Sequence, residues 1–384
     1  MSDPARVLGW MRAREEPMAA LLDELVRAES PSLVPGSERA GLDLVSHRLT
    51  GLGYRARLVD GAGRSHLLAR PSTRRRRGHQ LLLGHVDTVW PLGTIDGMQA
   101  RQNGRFYGPG AYDMKGGLVQ LVFALTALEE LALEPELAPV VFVNSDEEVG
   151  SIDSVRYIRL LARGAARAFV LEPPAGPAGM LKTARKGVER FEIVVRGRAA
   201  HAGTNPEEGA SAILELSRLV EQLFDLNDPD RGVTVNVGTI DGGLRANVVA
   251  PQASALVDVR APTEAVADDV AHSIRSLRPR QTGTRITVRS DLGRPPMPAT
   301  ERNRSLFRSA RRLASELGLE VDEAPLVGGA SDANFTSSLT ATLDGLGALG
   351  DGAHSTDEHV VVSALPERAA LLALLLLEDA PQNP

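Results

Sequence analysis

The chain has 384 residues, 43% of them hydrophobic, and its 43 basic against 49 acidic side chains give a formal charge of −6. That length favours two domains over one, the apolar content excludes a disordered chain, and the mild acidity gives no ground for binding nucleic acid. No cysteine is present, so disulfides and thiolate metal sites are excluded and any zinc must sit among His, Asp and Glu.

The N-terminal MSDPARVLGWMRAREEP lacks the long apolar stretch of a signal peptide. The most apolar run, Leu371 to Leu377, is too short to cross a bilayer and reads as a buried C-terminal helix. No membrane association and a cytoplasmic location are expected. Lysine occurs only at Lys115, Lys182 and Lys186, which reads as compositional bias.

Two N-terminal helices are predicted. Pro17 to Ala28 places Leu21, Leu22, Leu25 and Val26 on one face, and a second helix follows Ser37 as N-cap and stops at Gly51-Leu-Gly. Short strands YRARLVD and SHLLAR come next, then an arginine run at 74–77 that reads as a solvated hairpin tip. LLLGHVD, VVFVNSDEE and AFVLEP each begin as a continuous apolar run and end in His or acid. Such runs suit strands buried on both faces of a helix-covered parallel sheet. Helices at Gly116 to Leu133 and about Ser151 to Arg163 separate them, a βαβ rhythm that gathers ligands beyond the carboxyl ends of the strands.

After Pro177 the rhythm changes. VERFEIVVRG, a helix from Glu207 to Leu226, GVTVNVGTI, ASALVDVRA, a helix from Thr263 to Leu277 and TRITVRS follow in order. This β-α-β-β-α-β sequence is the ferredoxin-like unit. The expected fold class is therefore α/β: a three-layer domain of residues 1–180 and 293–384 around a mainly parallel sheet, with an inserted domain at 181–292. RPPMP at 294–298 reads as the return linker, followed by a helix from Asn303 to Leu317, a Gly-rich loop and a strand near Ala341.

Several polar residues sit where chemistry is expected. His85 and Asp87 in GHVDTVWP leave one face of a strand end, and Asp87 can orient the imidazole of a ligand His; H-x-D alone also fits a solvent-facing pair. GPGAYDMKGG lacks the Walker spacing, leaving a simple turn or a tight loop that aims Asp113 inward. In SDEEVGS, Glu147 and Glu148 suit either a solvated helix start or a division between metal binding and proton transfer. Glu172 in VLEPP and His354 in GDGAHSTDEHV read singly as loop residues.

In combination these segments carry a resemblance. HVDTVWPLGT, GPGAYDMKGG, NSDEEVGS, VLEPP, GRAAHAGTNPEEGASAI, GGASDANF and GAHSTDEH, in that order across roughly residues 80–360, resemble the dinuclear-zinc metallopeptidases that include bacterial glutamate carboxypeptidase, aminoacylase and succinyl-diaminopimelate desuccinylase. The resemblance implies that His85 and Glu172 bind one ion, Glu148 and His354 the other, and Asp113 bridges both. Glu147 would be the general base, Asp87 the partner of His85, and the Asp113–Met114 peptide bond cis. His201 would reach across a dimer of the inserted lid domain to stabilise the oxyanion, while Asn247 and Arg260 would grip the substrate's carboxylate. Taken singly, His201 reads as a turn residue and Arg260 as a surface charge of the inserted domain.

The implied cofactors are two divalent ions, zinc first, with cobalt and manganese suited to the same donors. Such ions, roughly 3.5–4 Å apart, activate a shared water, and Glu147 would take its proton to the leaving amine. The implied substrate is a small N-acyl amino acid or peptide with a free carboxylate. Glutamate carboxypeptidase is the first reading, since HVDTVWPLGT and DEEVGS match that branch and Glu at 172 accompanies carboxypeptidases and deacylases. An N-acyl-amino-acid amidohydrolase follows, then a dipeptidase. A non-catalytic metal-binding protein would have lost ligands or Glu147, and a nucleotide-binding protein needs a sound Gly-rich motif; the sequence shows neither.

Overall fold

The computed structural model describes residues 4–72, 78–291 and 293–379. The arginine run at 74–77, read as a hairpin tip, lies outside the described residues. The chain divides into two compact units, one of Met1–Ala184, Ala299–Val327 and Ser331–Pro384, the other of Arg185–Pro298 and Gly328–Ala330.

The first unit is built on a six-stranded sheet. Its strands run, edge to edge, Tyr54–Asp60, Ser65–Pro71, Ala138–Asn144, His79–His85, Ala165–Val170 and Ala341–Leu343. The last four are mutually parallel, and Ser65–Pro71 is antiparallel to both its neighbours. The continuous apolar runs are buried, as strands covered on two faces must be. The helix Gly116–Glu130 is buried along most of its length and packs against Leu365–Leu377, the C-terminal apolar run. Val155–Gly164 lies against the strands His79–His85 and Ala165–Val170. Among the described residues no helix is long and apolar enough to cross a membrane.

Three helices, not two, open the chain. Pro4–Arg12 precedes Glu15–Arg27 and Arg39–Gly51, burying Val7, Leu8 and Met11 toward the C-terminal helix. At nine residues it is too short to stand alone, so tertiary contact decides it. Ser37 is not an N-cap. Its hydroxyl donates to the carbonyls of Pro31 and Val34, and Arg39–Gly51 is preceded by Glu38, whose carboxylate accepts from the amides of Gly36 and Ser65. The helix expected from Ser151 begins at Val155, because the Asp146 carboxylate captures the amides of Asp153 and Ser154.

A small sheet that sequence periodicity did not signal joins Gly350–Asp351, His359–Val361, Arg105–Tyr107 and Ala100–Gln102. Strands of two or three residues leave no alternation to read. Its pairing of His359 with Tyr107 sets the loop carrying His354 against the turn carrying Asp113.

The second unit has a four-stranded antiparallel sheet in the order Arg285–Ser290, Gly187–Arg196, Gln252–Ala261, Thr234–Gly242. With helices Ala212–Phe224 and Glu264–Arg275 this is the ferredoxin-like arrangement. Both helices are capped by side chains. Ser211 accepts from the Leu214 amide and Thr263 from Val266, so the first begins at Ala212 rather than Glu207. Phe191, Ile193, Val195, Leu216, Leu219 and Val257 form its separate core.

Candidate active site

The strand His79–His85 delivers His85, almost wholly buried, to the carboxyl edge of the large sheet. Its Nδ1 lies 3.0 Å from the main-chain oxygen of Asp87 and 3.5 Å from Asp87 Oδ1. The nearer partner is thus the carbonyl rather than the carboxylate expected from the H-x-D pair. The Asp87 carboxylate has a wider task. It accepts from Ser32 Oγ at 2.8 Å and from the amides of Glu147 and Glu148 at 3.2 Å each. Burial alone would raise its pKa; His85, Ser32 and the Glu148 amide outweigh burial and hold it below the usual carboxylate value.

Asp113 comes from GPGAYDMKGG. Gly110 turns the chain through the left-handed region at φ 72°, and the Asp113–Met114 bond is cis. The turn is pinned by a residue that the sequence reading left unassigned. Glu358 accepts from the amides of Tyr112 and Asp113 on one oxygen, and from the Gly110 amide and the Trp90 indole on the other, at 2.7–3.1 Å. It is 1% exposed, and burial pushes its pKa up to about 6 against these donors. The only signal was that a Gly-rich turn rich in inward amides needs a buried acceptor, and nothing local marks which acid supplies it.

Asp113 divides its oxygens between the two histidines. Oδ1 is 3.2 Å from His85 Nε2 and Oδ2 is 3.7 Å from His354 Nε2. Glu172 Oε1 stands 3.6 Å from His85 Nε2, and Glu148 Oε2 3.2 Å from His354 Nε2. Glu147 belongs to the same cluster, with one ligand atom each from His85, Glu147 and Glu172 lying within 4.8 Å of one another. His85, Asp113 and Glu148 meet the same criterion.

The donor set fits divalent cations. Imidazole nitrogen and carboxylate oxygen suit zinc, cobalt or manganese, and the four carboxylates of Asp113, Glu147, Glu148 and Glu172 crowd around His85 and His354. Such crowding is costly unless cations neutralise it. Protons on the imidazoles take part of that role here. The Glu148 carboxylate beside His354 pushes its pKa up to about 9. Burial works against a charge on His85, yet Asp113 and Asp87 raise it well above the ordinary imidazole value. Burial raises Glu148, whereas at Asp113 the hydrogen bond from His85 overcomes burial and the pKa falls.

The other three expected site residues lie in the second unit. His201 is exposed in a turn bridged to Val248, and the Asn247 carbonyl accepts from the Ala202 amide at 3.1 Å. His201 Nδ1 accepts from the amides of Gly203 and Thr204, both at 3.1 Å. That assigns the ring proton to Nε2, which is left as a donor. Arg260 is half-buried on the strand Gln252–Ala261, paired with Asp258 at 2.8 Å and donating to the Gly328 carbonyl at 2.9 Å.

Comparison with known proteins places the chain in a family. Carboxypeptidase G2 of Pseudomonas sp. (strain RS-16) is 29% identical over 306 residues, 78% of this chain and 73% of that one. Succinyl-diaminopimelate desuccinylase of Azoarcus sp. (strain BH72) is 29% identical over 92% of this chain and 96% of that one. The fold matches the crystal structure of an M20 family metallo-carboxypeptidase from Sulfolobus solfataricus with a TM-score of 0.75, at 17% identity, covering 94% of this chain and 99% of that one. Residues 81–378 match peptidase family M20/M25/M40, and the chain belongs to that family of hydrolases.

Proposed function

We propose that this chain hydrolyses an amide bond with two divalent metal ions and releases a C-terminal amino acid from an acyl or peptidyl group, as a glutamate carboxypeptidase does. The observation that carries the reading is Asp113, one oxygen toward His85 and the other toward His354, as a carboxylate shared by two ions requires. His85 and Glu172 would hold one ion, and Glu148 and His354 the other. When bound, the pair supplies Lewis acidity toward an amide carbonyl and lowers the pKa of water into the neutral range.

The chain's own residues do the rest. Glu147, its amide fixed by Asp87, accepts the proton of the attacking water and delivers it to the leaving nitrogen. His201 Nε2–H donates to the carbonyl oxygen as charge develops there, in a homodimer whose second unit acts as a lid and lends that residue to the partner's site. Asn247 and Arg260 receive the substrate carboxylate, for which the guanidinium must exchange its bond to Asp258.

Removal of an acyl group from an N-acyl amino acid breaks the same kind of bond, and the similarity to a desuccinylase along nearly the whole chain supports that second reading. Amino-acid release from N-acylglutamates and from dipeptides with a free amine tests both. Release from blocked substrates only is the expected result. Cleavage confined to dipeptides with a free amine points to a dipeptidase, and no release from any of them removes the amide-hydrolase reading.

A further inference from the structure

Beside the metal-ready cluster the first unit holds a cavity of about 400 Å³ that the steps above leave unused. Two segments wall it, 31–34 after the second helix and 88–92 beyond the strand of His85, while Glu148 and Val149 close it toward the cluster. Four apolar side chains stand open around it, Leu33 at 83% exposure, Leu92 at 57%, Val89 at 44% and Val34 at 40%. Single exposed apolar residues are ordinary, but four around one concavity beside a reactive centre have the composition of a ligand site.

The walls are pre-formed. The amide of Ser32 donates to the Thr88 carbonyl at 3.0 Å, and the amide of Thr88 to Ser30 at 2.9 Å. Trp90, on the same wall, is fixed through its indole N–H to Glu358 at 2.7 Å. Among the described residues lining the cavity Glu148 is the only ionisable one.

We infer that this cavity is the acyl subsite, that it takes an apolar chain or ring attached to the scissile carbonyl, and that it rejects acyl groups ending in a carboxylate. Continuity with the cluster through Glu148 identifies the occupant as the part of the substrate next to the reacting carbonyl. A terminal carboxylate there would lose its water, and no lysine or arginine among the described lining residues would take its charge. The inference rests on the amide-hydrolase reading, and it sets this chain apart from a relative named for removing succinyl groups.

The test uses zinc-loaded full-length protein and glutamate carrying acetyl, butyryl, hexanoyl, octanoyl or succinyl groups. Burial of each added methylene raises kcat/KM about fourfold until the cavity is full, and succinyl falls at least tenfold below butyryl. Leu33→Asp and Leu92→Asp, changes at exposed positions, lower the octanoyl-to-acetyl ratio at least tenfold. A flat series, a preference for succinyl, or a ratio unmoved in both variants overturns the inference.

A second readout does not depend on turnover. The chain has two tryptophans, so Trp10→Phe leaves Trp90 as the only indole, and its fluorescence is followed with Glu147→Ala in the same chain. A saturable change with octanoylglutamate and none with succinylglutamate supports the subsite even if nothing is hydrolysed, in which case the hydrolase reading alone fails. Hydrolysis without a fluorescence response to either ligand leaves that reading standing and overturns the subsite.

Discussion

The amide of Glu147 donates to Oδ1 of Asp87 at 3.2 Å, which ties the proposed base to a carboxylate from the neighbouring strand. The second Asp87 oxygen holds the next amide, that of Glu148. One buried carboxylate therefore fixes the backbone of both acidic residues, while the carbonyl of the same residue holds His85. Asp87→Asn retains the shape but sets an NH2 group against donors. Metal affinity is expected to fall about 10–100-fold and stability by about 1–3 kcal/mol. Competitive metal titration and urea unfolding of the variant check the two effects; unchanged metal affinity would mean that Asp87 only stabilises the fold.

Glu358 does for Asp113 what Asp87 does for Glu147. Glu358→Gln keeps an acceptor for only one pair of donors, the amides of Tyr112 and Asp113 or the Gly110 amide and the Trp90 indole, and turns an NH2 group toward the other pair. A loss of about 1–3 kcal/mol is expected, with weaker metal binding because the bridging carboxylate loses its anchor. Thermal unfolding with and without zinc measures both, and a variant with parental zinc stabilisation would contradict the anchoring role.

Helix packing reaches the site at Gly117. A Cβ there would collide with the main-chain oxygen of Leu171, the residue before Glu172. Gly117→Ala must push the helix Gly116–Glu130 or the Glu172 segment aside, with an expected cost of about 1–3 kcal/mol. Reduced zinc affinity should accompany the lowered melting temperature, since the displaced segment carries a proposed ligand.

How legible this site was in the sequence depended on what kind of interaction placed each residue. His85, Glu147, Glu148 and Glu172 stood at the ends of continuous apolar runs, so strand burial placed them at one edge of the sheet, while only the family resemblance suggested their roles. The ferredoxin-like unit was readable from the alternation of its strands and the spacing of its helices. Glu358 was invisible because its partners are backbone amides some 250 residues away in the chain, and amides carry no sequence signature. The small sheet was missed for want of length, and the helix Pro4–Arg12 because contact with the C-terminal helix, not periodicity, sustains it. The cavity beside Glu148 is made by two distant segments, neither of which reads as a site alone.

Proton competition gives a pH prediction. In the metal-free protein the Glu148 carboxylate raises the His354 pKa to about 9, above the ordinary imidazole value. The protonated pair stabilises the metal-free fold fully below the unfolded pKa of about 6.5, and that contribution is lost as pH rises through about 9. A metal ion must displace this proton, so zinc affinity rises with pH up to that value and binding near pH 7 releases protons. Calorimetric titration in two buffers of different ionisation enthalpy detects the release. Identical heats in both buffers would contradict it.

The proposed mechanism has Glu147 move the proton while Asp113, Glu148, Glu172, His85 and His354 hold metal. It is tested most directly by amino-acid release from an N-acylglutamate, comparing Glu147→Ala with the parent at equal, measured zinc content. Release about 10²–10⁴-fold slower at matched zinc is the predicted result. Release within a few-fold of the parent would contradict the assignment.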